Sequence, residues 1–128
     1  MTKDDLRERM TVFAVRIVKM VDAMPQTVSG LAIARQIVRS GTSPSANYRA
    51  ACLAKSEKDF INKLKMVEEE LDETCHWLEI IMRSEMMKEL RMKPLHQECC
   101  ELLNIIAKSI VTTKTRMNAD EIAKSKIV

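Results

Sequence analysis

Phe60, Leu64, Val67, Leu71, Thr74, Leu78 and Ile81 follow one another at alternating intervals of four and three. That spacing holds one face of an α-helix apolar for about six turns. A strand, whose side chains alternate with a period of two, cannot bury the same set on one side. Ile61, Cys75 and Met82 widen the stripe. Ser56 followed by Asp59 has the form of a capping box, with Asp in place of the usual Glu, and opens the helix. A helix so patterned must lay its face against other helices of the same kind.

The rest of the chain supplies them. Leu6, Met10, Phe13, Ile17, Met20 and Met24 recur in the same way, broadened by Ala14, Val18 and Val21. Asp4 or Asp5 is the expected N-cap, and Pro25 ends this first helix by pushing its predecessor out of the α region. Thr27 or Ser29 caps a second helix carrying Leu31, Ile33, Ala34, Ile37 and Val38. Gly41 and Pro44 disturb it, because proline removes a donor and crowds the Ser40 carbonyl, at about 3 kcal/mol in an unprepared helix. The hydroxyls around Pro44 are the preparation, so the expectation is one long, kinked helix over 27–54 rather than a break between Gly41 and Pro44. Ser84 to Lys93 reads as a connection, and Pro94 fits the first turn of a fourth helix bearing Leu95, Cys99, Leu102, Ile106, Ser109 and Thr113, with Leu103, Ile110 and Met117 beside them. The pattern fades after Asn118. This predicts an all-α, up-down antiparallel four-helix bundle over 1–117 and a flexible tail over 118–128.

Two glycines and three prolines in 128 residues suit that class. With 46% apolar and 30% charged residues the chain is not compositionally disordered, and with 3% aromatics its core falls to aliphatic side chains and ten Met. The start, Met1-Thr-Lys-Asp-Asp5, lacks a signal peptide's apolar run, and no stretch approaches the ~20 apolar residues of a membrane span. Cys52, Cys75, Cys99 and Cys100 follow no disulfide or metal spacing, so reduced thiols in a cytoplasm are expected. The second and third helices approach about 40 Å in length, and their broad apolar faces point to self-association.

From Arg35-Gln-Ile-Val-Arg-Ser-Gly-Thr-Ser43 the chain resembles the four-helix-bundle family of 23S rRNA intervening-sequence-encoded proteins. The resemblance runs on through Asn47-Tyr-Arg-Ala-Ala-Cys52, Ser56, Phe60-Ile-Asn-Lys-Leu64, Val67-Glu-Glu-Glu70, Asp72-Glu-Thr74, His76-Trp-Leu-Glu79, Glu101-Leu-Leu103, Ser109-Ile110 and Thr113-Lys114. Gln36, Ser40, Gly41, Ser43, Asn47, Glu69 and Glu73 are its motif positions. The chain departs at Pro44-Ser45, where this branch of the family usually has Val-Gly. The resemblance implies a homo-oligomer, a pentameric ring or barrel. It also implies kinship with the accessory variability determinant of diversity-generating retroelements, which uses a basic surface to bind nucleic acid and a reverse transcriptase. Most other members have no established activity. The word "ribosomal" sometimes attached to the family reflects where the gene sits and does not imply a ribosome component.

Between Ala23 and Ser56 there is no Asp or Glu, yet Arg35, Arg39, Arg49 and Lys55 are present. Arg35 and Arg39, four apart, share a helix face, and a ring of such helices would repeat their charge toward RNA or DNA phosphates. The competing reading pairs these arginines with Glu68, Glu69, Glu70, Asp72 and Glu73 on the third helix, leaving a structural or protein-binding oligomer.

Catalytic alternatives are thinner. Arg91 and His96 have the Arg-x4-His spacing of HEPN-type ribonucleases, but Arg91 precedes Pro94 and is expected off the helix that bears His96. Glu73-Thr-Cys-His76 has the spacing of a di-iron bundle ligand pair but occurs once, and His96 has Lys93 rather than Glu three residues before it. The cysteines and histidines lack zinc spacing, and no Ser/His/Asp set or Gly-rich phosphate loop is present. Trp77 and Tyr48 read as packing residues, and Met82, Met86, Met87 and Met92 as a partner surface or a loosely packed bundle end. The expectation is a non-enzymatic, cytoplasmic homo-oligomer without metal or cofactor, binding nucleic acid through Arg35, Arg39, Arg49 and Lys55.

Overall fold

The first four N–H groups of a helix have no partner within it, so helices begin where a side chain can take one over. The Thr2 hydroxyl accepts from the Asp5 N–H at 3.1 Å, and the Asp5 carboxylate accepts from the Thr2 N–H at 2.9 Å. The N-cap is therefore Thr2, with Asp5 three residues on, where a carboxylate reaches back to the cap; neither Asp4 nor Asp5 is the cap itself. The Thr2 backbone N–H first, and its hydroxyl second, hold the Asp5 carboxyl below its ordinary range. Thr27 and Ser56 cap the next two helices through the Gly30 and Asp59 N–H groups, as expected.

The computed structural model describes residues 1–127. It contains α1 (Lys3–Asp22), α2 (Val28–Cys52), α3 (Glu57–Arg83) and α4 (Glu89–Ile127), and no strand among the described residues. α1 packs on α2, α2 on α3 and α3 on α4, while α4 closes back on α1 more loosely. With short connections this is an all-α four-helix bundle. The core stripes are Leu6, Met10, Phe13, Ile17 and Met20 on α1, and Ile61, Leu64, Val67, Leu71, Thr74, Leu78 and Ile81 on α3. They follow the sequence pattern except at the start of α3, where Ile61 is buried and Phe60, expected in the stripe, is half-buried. No described helix is long and apolar enough to cross a membrane.

α2 runs unbroken through Pro44. The nearby hydroxyls bond the flanking carbonyls, Thr42 to Val38 at 2.6 Å and Ser45 to Thr42 at 2.9 Å. Between Ile37 and Tyr48 the buried face of α2 is built from the small residues Ser40, Gly41 and Pro44, and this sets how closely its neighbours approach there. A Cβ on Gly41 would lie 2.8 Å from the Ile17 Cγ2, so α1 presses directly on the helix backbone there. On the other side the Ser40 and Thr74 hydroxyls, both fully buried, hydrogen-bond each other at 3.0 Å across α2 and α3. The Thr74 hydroxyl also bonds the Glu70 carbonyl of its own helix at 2.7 Å, so it is the enclosed Ser40 hydroxyl that depends on this register: sliding one helix would leave it without a partner.

Two expectations about α4 change. The helix begins at Glu89, five residues before Pro94, and so includes Arg91 together with His96. Pro94 and Leu90 are both exposed, so water reaches the Leu90 carbonyl whose donor the ring removes. At the other end, residues 118–126, expected as a mobile tail, continue the helix while every one of them is exposed. The apolar pattern stops there because no bundle surface faces it. The helix goes on because Ala119, Glu121, Ala123 and Lys124 extend an existing helix without a new nucleation cost.

α3 ends in a Schellman motif: the Met86 N–H bonds the Ile81 carbonyl at 3.2 Å and the Glu85 N–H bonds that of Met82 at 3.1 Å. Glu85 takes the left-handed position, φ 59°, which glycine usually fills. The looser α1–α4 seam is closed by Arg9, whose guanidinium donates to both Glu98 oxygens at 2.8 and 2.6 Å and to Glu101 at 2.6 Å. The Glu98 hydrogen bonds first, and then Glu101, raise the Arg9 pKa and hold the group charged.

Candidate nucleic-acid and subunit interface

Successive helical residues turn by about 100°. Arg35, Arg39 and Arg49 therefore fall within roughly 80° of one another on the outer side of α2, with Arg35 and Arg49 about 21 Å apart along the axis. All three are exposed, as is Lys55 in the turn that follows. They do not act as one set. Arg39 donates to Glu73 at 2.5 Å and to both Glu70 oxygens at 3.3 Å, so α3 takes up this one arginine as a salt-bridge partner. Arg35, Arg49 and Lys55 form no ion pair among the described residues.

The motif residues divide in the same way. Ser40 and Gly41 lie in the core contacts described above, and Asn47 donates to the Ser43 hydroxyl at 2.9 Å along α2. Glu73 holds Arg39, whereas Gln36 and Glu69 are exposed.

Lys55 leads to cations that sequence reasoning missed. The cleft at the α2–α3 end of the bundle is lined by Lys3, Lys55, Lys108 and Arg116. Leu6, Tyr48 and Phe60 lie among its lining residues, and the Lys3 ammonium sits 4.7 Å from the Phe60 ring centre. Glu57, the one acid among the lining residues, is held by Arg116 at 2.9 Å. Lys3, Lys55 and Lys108 come from the start of α1, the turn after α2 and the middle of α4. No local spacing signals that assembly.

The outer surfaces also carry apolar groups. Val12, Val15 and Val18 on α1 and Leu31 on α2 are 42–48% exposed. α3 presents Glu69 and Asp72 exposed and outside any ion pair among the described residues.

The remaining candidates resolve into structure. Arg91 is exposed and His96 half-buried, and five residues along one helix set them about 140° apart, facing different directions. Glu73 is engaged by Arg39, His76 is exposed, and no group of three His, Cys, Asp or Glu able to hold a metal occurs among the described residues. Met87 and Met92 are buried and Met82 and Met86 half-buried, which makes the methionine cluster packing at the bundle end. Trp77 is half-buried with its indole N–H enclosed and unpartnered. Tyr48 is buried, and its phenol is pushed up to about 12, by burial first and by the neighbouring Cys52 second.

Fold and surface together define a small all-α four-helix bundle with a mixed basic and apolar exterior. The sequence model of the 23S rRNA-intervening sequence protein family matches residues 3–108, and the chain belongs to that family. Among solved structures it is similar to a protein of unknown function from the S23 ribosomal protein family of Bacteroides thetaiotaomicron, with a TM-score of 0.79 and 33% identity over 86% of this chain and 98% of that one. No curated protein matches the chain.

Proposed function

We propose that this chain is a non-enzymatic, self-associating binding protein that holds nucleic-acid phosphates with Arg35, Arg49 and Lys55. The observation that carries this reading is that Arg35 and Arg49 on α2 and Lys55 in the following turn form no ion pair among the described residues, and that Lys55 lines a cleft together with Lys3 and Lys108. Cations without internal partners keep their charge available to phosphates, and their contact releases counterions. Arg39 is assigned instead to the fold. Self-association rests on the exposed valines of α1 and the broad helix faces, with five copies as the number the resemblance implies. The four free thiols suit a reducing cytoplasm.

A second reading has one specific observation in its favour. Exposed Glu69 and Asp72 on α3 are complementary to Arg35 and Arg49 on α2, so the acidic side of one copy can take the basic side of the next. The arginines would then be interface residues and the partner a protein.

Light scattering combined with RNA and DNA titrations at several salt concentrations separates the readings. Phosphate binding predicts a log–log salt slope of about −0.9 per contact on duplex DNA and about −0.7 on single strands. Arg35→Glu with Arg49→Glu is expected to abolish binding while leaving the scattering mass unchanged, and Arg39→Ala to leave the salt slope unchanged. An assembly indifferent to both nucleic acids at low salt overturns the phosphate reading. Loss of assembly in the double variant, with scattering falling to the monomer mass, establishes the second.

A further inference from the structure

Three of the four cysteines meet where α3 packs on α4, away from the basic face. The Cys75 Sγ lies 2.9 Å from the Cys99 Sγ, and the Cys99 Sγ lies 3.3 Å from the Leu71 carbonyl oxygen. Cys75 is half-buried and reachable from solvent, while Cys99 is fully enclosed. Cys100, one residue on, is half-buried, with its sulfur 3.9 Å from the His96 Nε2. The two close sulfurs sit on different helices, 24 residues apart in the chain. A disulfide requires a separation near 2.0 Å, so bonding asks for a movement of about 0.9 Å.

We propose that Cys75 and Cys99 are an oxidisable dithiol, through which a hydroperoxide staples α3 to α4. In the first step the Cys75 sulfur attacks a peroxide oxygen. The O–O bond breaks, a sulfenic acid forms on Cys75, and the other oxygen leaves as water or alcohol with the thiol proton. In the second step the Cys99 sulfur attacks the Cys75 sulfur. The S–S bond forms, and the sulfenic hydroxyl leaves as water with the Cys99 proton. The two thiols give up two electrons and two protons, and the hydroperoxide takes them.

The environment divides these roles. The interaction with the Cys99 sulfur is the largest influence on the Cys75 thiol and lowers its pKa, against burial, which raises it; the net lowering favours the thiolate that attacks peroxide. The same interaction, with burial second, raises Cys99, and burial raises Cys100. Cys99 is thus placed as the resolving thiol, fully enclosed and 2.9 Å from the more accessible Cys75 sulfur. Enclosure of Cys99 keeps it from direct oxidation, and its proximity keeps a Cys75 sulfenic acid from further oxidation.

The test is a hydrogen peroxide titration of the native protein, read by intact mass and by non-reducing peptide mapping. Loss of two hydrogens per chain is expected, with one cross-link between the peptides bearing Cys75 and Cys99, reversed by dithiothreitol. Cys100→Ser is expected to retain the link, and Cys75→Ser to abolish it. The staple closes a long loop, so the oxidised protein should melt roughly 5 °C or more above the reduced one. Sulfinic or sulfonic acid on Cys75 without a cross-link overturns the proposal. So does a link to Cys100 or Cys52, or a link between chains. The mapping uses the unaltered chain, so the result stands even where a cysteine variant fails to fold.

Discussion

Replacing Gly41 by alanine tests how closely α1 and α2 meet. In an isolated helix the change gains up to about 1 kcal/mol, because glycine loses more conformational freedom than alanine on folding. Here the new Cβ would stand 2.8 and 2.9 Å from the two γ carbons of Ile17 and 3.3 Å from its Cβ. Those are the branched carbons next to the backbone, not the free end of a flexible chain, and Ile17 is fully buried. The side chain cannot swing away, so the helices must part. Overpacking of this kind costs about 1–3 kcal/mol. The three short contacts place this site in the upper part of that range, leaving a net loss of about 1–2 kcal/mol after the propensity gain. For a chain of this size that lowers Tm by about 3–8 °C.

The cause is separable from the effect in an Ile17→Ala background. That change alone costs about 2–5 kcal/mol through the cavity it leaves. With the γ carbons gone, Gly41→Ala should turn neutral or stabilising by up to about 1 kcal/mol. Urea melts followed by far-UV circular dichroism and Trp77 fluorescence give all four corners of the cycle, at one protomer concentration because association adds mass action. Gly41→Ala raising stability in the otherwise native chain would refute the reasoning, since propensity would then have outweighed a contact that is absent.

Gly30→Ala should be worse, on the order of 3 kcal/mol or more, because a Cβ there would sit 2.0 Å from the Pro25 carbonyl oxygen and the backbone of the α1–α2 turn has no slack; a melt unchanged from the native chain would exclude that close approach. Glu85→Gly should stabilise by roughly 0.5–1 kcal/mol, seen as a raised urea midpoint with unchanged slope, because the residue already holds a left-handed backbone that glycine adopts freely. The single tyrosine gives a direct pH test. The folded phenol is pushed up to about 12 while an unfolded one ionises near 10. The folded state therefore keeps its proton more tightly, stability is complete below pH ~10, and it falls as pH rises from there toward about 12. Phenolate absorbance should climb only with the loss of helical dichroism, and an ordinary titration of a still-helical protein would contradict the burial of Tyr48.

The helices were legible because their apolar positions repeat at the helical period, and Thr27, Ser56 and Pro25 mark their bounds in local chemistry. The continuity of α2 through Pro44 was expected too, although the nearby hydroxyls bond the Val38 and Thr42 carbonyls rather than that of Ser40, whose donor the proline removes. Three readings that depended on context came out differently. Thr2 rather than Asp4 or Asp5 caps α1, since a reciprocal bond decides among adjacent polar residues. Pro94 lies inside α4 where the carbonyl it leaves without a donor belongs to exposed Leu90, and residues 118–126 stay helical although all of them are exposed.

The candidate site was half legible. An acid-free run with Arg35, Arg39, Arg49 and Lys55 is a property of the chain. Which of those cations is spent inside the molecule is a property of the fold: Arg39 meets Glu70 and Glu73 only because α2 and α3 lie side by side in one register. The same holds for Lys3 and Lys108 beside Lys55, and for Cys75 against Cys99. Periodicity is a local quantity, summed over neighbours three and four residues away, so the sequence by itself determines which faces are buried. Partnership depends on side chains brought together from distant positions, and only the packing of helix on helix, set at Gly41 and at the Ser40–Thr74 pair, decides which charges and thiols meet.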